Sequence, residues 1–174
     1  MLNLFINTWG NYNENGADGG KWITLPMDAD ELQETLEDIA TKMADFDPEF
    51  FINDYEWTGE WDGFTINENE SITELNELIS ELDDLSEYDA RVYAAAVDYW
   101  GRYQVTPSDV DNYRLLEDVR TEYDLGYYWV EESGCYDLEA MGNLAYYIDY
   151  ERFGRDISYE TDGGFTDWGF IERC

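Results

Sequence analysis

Carboxylates are the reactive groups that this sequence supplies in the largest number. Its 174 residues include 42 Asp and Glu but only 9 Lys and Arg, which gives a formal net charge of -33. Carboxylates can act as general acids and bases, bind metal ions, or accept ion pairs from a partner. A glycosidase needs only two of them, roughly 5–10 Å apart, and any acidic protein offers many such pairs. The composition therefore singles out no catalytic pair and favours a role as distributed charge.

The residue types that are scarce exclude several functions. Histidine is absent, which excludes Ser-His-Asp catalysis, Cys-His catalysis and His-ligated metals. Cys135 and Cys174 are the only cysteines, too few for a disulfide scaffold or a Cys-rich zinc site. We therefore expect no cofactor, and these residue types point to no particular enzymatic reaction.

Charge and hydropathy also limit the partners. A chain this acidic cannot bind nucleic acid by neutralising phosphates, but it should attract basic proteins that do. No apolar run approaches the ~20 residues that a membrane span needs. Residues 1–6 lack the basic and the long apolar parts of a signal peptide. We expect a cytoplasmic protein with reduced cysteines and no membrane partner.

The acids follow a regular spacing in the middle of the chain. Residues 43–90 contain sixteen acids and no Lys or Arg. Five of these acids are spaced 4, 3, 4 and 3 residues apart, so on a helix they would form one negative stripe: Glu70, Glu74, Glu77, Glu81 and Asp84. Like charges at this spacing destabilise a helix by ~0.2–0.5 kcal/mol per pair. The row Asp30, Glu34 and Asp38 repeats the pattern, so something other than stability favours these carboxylates.

The spacing of the stripe resembles that of a nucleic acid. Charges three or four residues apart on a helix lie roughly 5–6 Å apart along its axis, and one DNA strand carries a phosphate every ~3.4 Å. Both are linear arrays of anions of similar density. A salt-adapted protein, which also has excess Asp and Glu with little Lys, and an ordinary solvated face remain alternative explanations.

The elements that must position these acids are predicted from periodicity, and 17% aromatic residues are enough to build a core. In residues 1–62 we predict an α+β unit. Its expected elements are strands at 2–6, 22–25, 50–52 and 64–66 (the last just past the boundary), a loop at 10–20, and a helix capped by Asp28 with Glu31.

Two further segments are predicted along the chain. Residues 63–104 should form a helical hairpin, with helices starting at Ser71 and Ser86. Residues 105–174 should form a second α+β unit. It should begin with a Thr106–Asp109 helix cap, followed by a strand or helical turn at 113–119. Helices are expected at 123–133 and 138–153, ended by Gly134 and Gly154. A hairpin is expected around 162–164, in which Ile157 and Tyr159 face Phe165.

Two segments carry a resemblance to a known family. They are Phe5-Ile6-Asn7-Thr8-Trp9-Gly10-Asn11-Tyr12-Asn13 with Gly20–Pro26, and Tyr146–Ile157, which contains IDYERFGRDI. Together with Asn53–Glu56 and Ser71–Asn76, in the same order along nearly the whole chain, they resemble the ArdA antirestriction proteins.

The resemblance implies a fold and a function, that of a binding protein and not an enzyme. ArdA-like proteins are encoded on mobile genetic elements and mimic bent double-stranded DNA in the DNA-binding cleft of type I restriction–modification enzymes. They are elongated homodimers of small domains, with α+β ends, a helical middle segment and a C-terminal dimerisation domain. This chain would accordingly have domains 1–62, 63–104 and 105–174, the last one for dimerisation.

The expected site is therefore a surface of acids rather than a pocket. The expected DNA-mimic surface comprises Asp30, Glu34, Asp38, Asp54, Glu56, Glu70, Glu74, Glu77, Glu81, Asp84, Glu87, Asp109, Asp111, Glu117 and Asp118. The family-like stretch contributes Tyr147, Asp149, Tyr150, Gly154, Arg155 and Asp156. Arg152 and Arg155 are expected to pair with neighbouring acids, and Tyr146, Tyr147 and Tyr150 to serve as core or dimer contacts. The alternative function is an acidic module that binds another basic, DNA-binding protein.

Overall fold

The computed structural model describes residues 1–58 and 64–174. The chain folds into two compact units, Met1–Asp84 and Leu85–Cys174, and each contains helices and a three-stranded antiparallel sheet. This confirms the α+β class. The predicted boundary between residues 62 and 63 lies outside the described residues, and the division into three domains stays a prediction. Among the residues described, no helix is both long and apolar enough to span a bilayer.

The first sheet is built around the N-terminal strand. Strand β1 (Leu2–Thr8) lies between β2 (Lys21–Leu25) and β3 (Phe50–Trp57). The alternating residues Leu2, Leu4 and Ile6 are fully buried, as the period of two predicts. The strand expected at 64–66 is wrong. Those residues are not in a strand, although Ile66 is buried and the Phe64 carbonyl accepts from the Trp57 indole N–H at 3.2 Å.

The segment after β1 is helical, so the loop expected at 10–20 is wrong. Helix α1 (Trp9–Asn15) is followed by a 3-10 turn at Gly16–Gly19. The Thr8 hydroxyl caps the helix by accepting from the Asn11 backbone N–H at 3.2 Å. Side-chain amides then form a ladder in which Asn11 donates to Asn7 at 2.8 Å and Asn15 donates to Asn11 at 2.9 Å. The asparagines that suggested a loop instead satisfy one another beside β1.

Helix α2 (Ala29–Lys42) buries Leu32 and Ile39 on one face. It begins after Asp28 as predicted, but the Asp28 side chain makes no capping hydrogen bond. Its C-terminus is a Schellman motif, in which Ala44 N–H donates to Thr41 O at 3.1 Å and Asp45 N–H to Ala40 O at 3.0 Å. This motif places Ala44 in the left-handed region, with a φ of 54°.

We expect Ala44→Gly to stabilise the protein. A left-handed conformation costs an L-residue ~1–2 kcal/mol, and glycine relieves that cost while losing some chain entropy on folding. The net gain in free energy of unfolding should be ~0.5–1 kcal/mol, measured by urea denaturation. Ala44→Val, with a branched side chain at the same φ, should lose stability. A glycine variant no more stable than wild type would contradict the strain at this position.

Helix α3 (Ile72–Asp83) begins as predicted, because the Ser71 hydroxyl accepts from the Glu74 backbone N–H at 3.3 Å. Its buried face also contains Asn76, whose side chain accepts from Met27 N–H at 2.9 Å and donates to Met27 O at 2.8 Å. These two bonds tie α3 to the segment between β2 and α2.

The second unit places helix α4 (Glu87–Trp100) against the sheet β4-β6-β5. The strands are β4 (Tyr113–Leu116), β5 (Gly163–Thr166) and β6 (Gly169–Arg173), so 113–119 begins as a strand. Short 3-10 helices span Arg102–Gln104 and Pro107–Asn112, the second with the predicted Thr106–Asp109 capping box. The expected hairpin partners are wrong, because β5 pairs with β6 and the segment before β5 is helical.

Two helices cross beside this sheet. Helix α5 (Glu122–Tyr127) continues into a π-helical turn at Tyr128–Glu132. After α6 (Leu138–Met141) and a 3-10 segment (Gly142–Tyr147), helix α7 (Tyr150–Glu160) packs along α5. The expectation that Gly154 ends a helix is wrong, since Gly154 is buried in the middle of α7.

Glycines make the α5–α7 crossing possible. A Cβ on Gly154 would overlap the Glu122 carbonyl oxygen and lie 2.6 Å from the Gly126 amide nitrogen. A Cβ on Gly126 would in turn overlap the Tyr150 carbonyl oxygen. Only hydrogen fits at either position, so the two backbones touch directly.

Candidate functional site

Helix α3 presents a face of carboxylates to solvent. Glu74, Glu77 and Glu81 are exposed, on the side opposite the buried Ile72, Leu75, Ile79 and Leu82. The stripe extends past both helix ends. Asp84 is the C-cap residue, and Glu70 precedes the Ser71 cap. Glu70 is half-buried and accepts from the Asn67 backbone and side-chain N–H groups at 2.7 and 2.9 Å.

The C-terminal end of α3 is electrostatically unfavourable. Glu81, Asp83 and Asp84 are exposed there, and the last turn carries no basic residue. A helix C-terminus is the negative end of the helix dipole, where an anion is disfavoured by ~0.3–1 kcal/mol. These acids oppose the dipole as well as one another, so their placement does not serve the stability of the helix.

The second acidic row, on α2, is partly neutralised. Asp30, Glu34 and Asp38 are all exposed. Lys42, one turn after Asp38, forms an ion pair with it and so offsets part of the repulsion among these acids. Two further candidates, Asp54 and Glu56, are exposed on the edge strand β3.

Three candidates in the second unit are engaged within the fold. Arg91 binds Glu87 at 2.7 Å and Glu117 at 2.5 Å, and these hydrogen bonds raise the pKa of the Arg91 guanidinium above its ordinary value. Asp109 closes the capping box with Thr106, whose hydroxyl and backbone hydrogen bonds lower the pKa of the Asp109 carboxyl.

The remaining two candidates of the second unit, Asp111 and Asp118, are exposed. Taken with the others, twelve of the fifteen candidates are exposed, and Glu70, Asp109 and Glu117 are half-buried. All fifteen therefore reach the surface of their own unit.

Several cations of the chain are held by its own acids. Besides Lys42 and Arg91, Arg114 on β4 pairs with Glu172 on β6, and Arg173 pairs with Asp162 at 3.3 Å. Arg120 donates to backbone carbonyls, one of them that of Glu117 at 3.0 Å. The pairing of Arg91 with Glu117 joins residues far apart in sequence and could not be predicted from spacing.

The expected ion pairs of Arg152 and Arg155 are wrong. Within the described ranges, neither guanidinium pairs with Asp149, Glu151 or Asp156. Asp149 has another role, because its side chain caps α7 by accepting from the Arg152 backbone N–H at 3.1 Å. Asp156 is exposed and Arg155 is half-buried.

The tyrosines of the family-like stretch divide into two groups. Tyr150 lies in a ring cluster with Tyr123 and Tyr127 of α5, with ring centroids 5.5 and 5.6 Å away. Its hydroxyl donates to the Glu131 carboxylate, which raises the pKa of Tyr150 to about 12. Tyr146 and Tyr147 are 85% and 84% exposed, so a core position is wrong for both, while a dimer contact stays a prediction.

The family-like stretch thus serves the fold. It supplies the cap and the close-packing glycine of α7, a role that sequence reasoning missed. The signal was the pair Gly126 and Gly154, each inside a helical pattern. Among the described residues, no three Cys, Asp or Glu side chains converge to hold a metal. The surface can accept ion pairs and hydrogen bonds from Lys and Arg of a partner.

Comparison with known protein families gives a match over nearly the whole chain. The family model described as "Antirestriction protein (ArdA)" matches residues 4–172, nearly the whole chain. No curated protein matches the chain.

Proposed function

Because the chain belongs to the ArdA family of antirestriction proteins, we propose that it occupies the DNA-binding cleft of type I restriction–modification enzymes as a mimic of bent double-stranded DNA. The family implies an antirestriction function and binding to restriction enzymes. The mimicry and the choice of a type I enzyme are our proposal. The acidic face of α3, where carboxylates accumulate against the helix dipole, is the observation that carries it.

The mechanism follows from how such enzymes hold DNA. Lys and Arg side chains in the cleft bind phosphates and release counterions. Folded carboxylates engage the same cations, and a pre-bent surface avoids the several kcal/mol that bending a duplex costs. Carboxylates do not copy base edges, so inhibition should not depend on the target sequence of the enzyme. The inhibitor performs no chemistry.

The remaining parts of the proposal concern assembly and setting. We propose a homodimer formed through residues 105–174, in which the exposed Tyr146 and Tyr147 are available as contacts. The protein acts in the cytoplasm, where the enzyme and its DNA are found, and is carried by a mobile genetic element.

The test is competition with duplex DNA for a purified type I enzyme at several salt concentrations. We expect the protein to displace DNA and its affinity to fall about tenfold or more between 50 and 200 mM salt, because ionic contacts weaken with screening. DNA binding by the same enzyme, measured in parallel, is the control. An affinity that does not change with salt concentration would contradict mimicry by ionic contacts. Binding to the enzyme without displacement of DNA would favour the alternative function, an acidic module that binds another basic protein.

A further inference from the structure

An apolar groove lies beside the acidic helices of the first unit. It has a volume of about 730 Å³ and is open to solvent between α2, α3 and the segment before β3. Leu32, Leu36 and Ala40 of α2 and Phe50 of β3 line it. Mimicry of the phosphates alone gives no reason for an apolar groove, because the phosphates of a duplex contribute only charge and hydrogen-bond acceptors to a protein.

Phe46 stands at the border of this groove with 99% of its surface exposed. The Schellman motif at the end of α2 fixes the direction of the chain two residues earlier, at Ala44. One short segment thus contains two unfavourable features, a left-handed backbone at Ala44 and an exposed phenyl ring at Phe46. Burying a phenylalanine side chain is favourable, so an occupant that covers Phe46 and the groove gains apolar contact.

The charges around the groove indicate what kind of segment could bind there. Its border carries Glu37, Asp45 and Glu77, and the one base of α2, Lys42, is already paired with Asp38. A second copy that laid its own groove border here would bring acids against acids, because that border carries Glu37, Asp45 and Glu77. A segment with apolar residues flanked by Lys or Arg matches both the groove and its border.

We propose that this groove receives a basic amphipathic helix of the target enzyme, which lays apolar side chains against Leu36 and Phe46 and ion-pairs with the surrounding acids. This is helix-in-groove recognition, and it rests on the proposed function. It adds an apolar anchor to an interface that is otherwise ionic. Such anchors carry a large share of binding energy in protein interfaces.

The test is the affinity of Phe46→Ser for a purified type I enzyme at 50 and 200 mM salt. The variant should fold like wild type because the ring is exposed in the folded protein, and circular dichroism checks this. We expect about tenfold weaker binding, by the same factor at both salt concentrations, because apolar burial is not screened. Phe46→Leu should retain most of the affinity. Tyr88→Ser, at a side chain 45% exposed on α4 and outside residues 105–174, is the matched control and should bind like wild type.

The outcomes separate the groove from the proposed function. A wild-type protein that fails to displace DNA removes the proposed function and the groove proposal with it. A wild type that displaces DNA while Phe46→Ser binds equally well overturns the groove proposal alone. A loss that vanishes at 200 mM salt overturns it as well. So does a change in oligomeric state of Phe46→Ser by light scattering, since the occupant would then be a second copy.

Discussion

Replacing Gly154 by alanine is expected to destabilise the second unit by about 3 kcal/mol. The added methyl group would overlap the Glu122 carbonyl oxygen across the α5–α7 crossing. Main-chain atoms of two packed helices cannot yield as a flexible side chain does, so overpacking here falls at the upper end of its usual range. Urea denaturation followed by circular dichroism measures the change.

Whether Gly154→Ala lowers or raises the free energy of unfolding distinguishes an effect of helix packing from one of helix propensity. Alanine in a helix interior is ordinarily more favourable than glycine by about 1 kcal/mol, so propensity alone predicts a gain at Gly154. Gly126→Ala, on the other side of the crossing, should also lose stability. Arg152→Ala, at an exposed position of the same helix, is the control and should change stability by less than about 0.5 kcal/mol. A Gly154→Ala variant more stable than wild type would mean that α5 and α7 do not touch there.

Neutralising the whole stripe is expected to weaken inhibition about two hundredfold, whereas each single change should cost about threefold. The stripe consists of Glu70, Glu74, Glu77, Glu81 and Asp84, replaced by Gln or Asn. A cleft that binds DNA uses many phosphate contacts of modest strength, and independent factors of three multiply over five positions. The fold should survive because the buried face of α3 is untouched. Restriction inhibition is measured beside circular dichroism.

A matched set of substitutions distinguishes position from net charge. Five exposed acids of the first unit lie outside the proposed surface: Glu14, Asp18, Glu31, Asp47 and Glu49. Neutralising them removes the same charge and should weaken inhibition much less. If both sets of substitutions weakened inhibition equally, net charge and not the position of the stripe would explain the effect. A single stripe substitution that abolished inhibition in a folded protein would instead indicate a discrete site, since a catalytic carboxylate alone is worth ~10²-fold or more.

The elements that could be predicted are those determined by short-range chemistry. Alternation of Leu2, Leu4 and Ile6 predicted β1, and hydroxyl caps at Ser71 and Ser86 predicted the starts of α3 and α4. The exposure of the α3 acids followed from the same helical period. These signals lie within a few residues of one another and need no tertiary partner.

The errors arose where a distant partner decides the structure. The asparagines after β1 favour a turn in isolation, but Trp9 at the start of α1 stacks on Phe51 of β3, with ring centroids 4.1 Å apart. Gly154 is typical of a helix end until α5 is known to cross it. Within the site, the engagement of Glu117 by Arg91 depends on contacts 26 residues apart. Tertiary packing overrides local propensity at each of these positions.

The internal pairing of the cations has a consequence for how quickly the protein reaches its target. Lys42, Arg91, Arg114 and Arg173, four of the nine basic residues, are each paired with an acid of the same chain, and the net charge of -33 keeps the field around the protein strongly negative. Such a field speeds diffusional encounter with a basic cleft and repels free duplex DNA. On the proposed function, the protein is thereby kept away from the duplex DNA with which it competes, and its rate of association with the cleft should determine which of the two binds first.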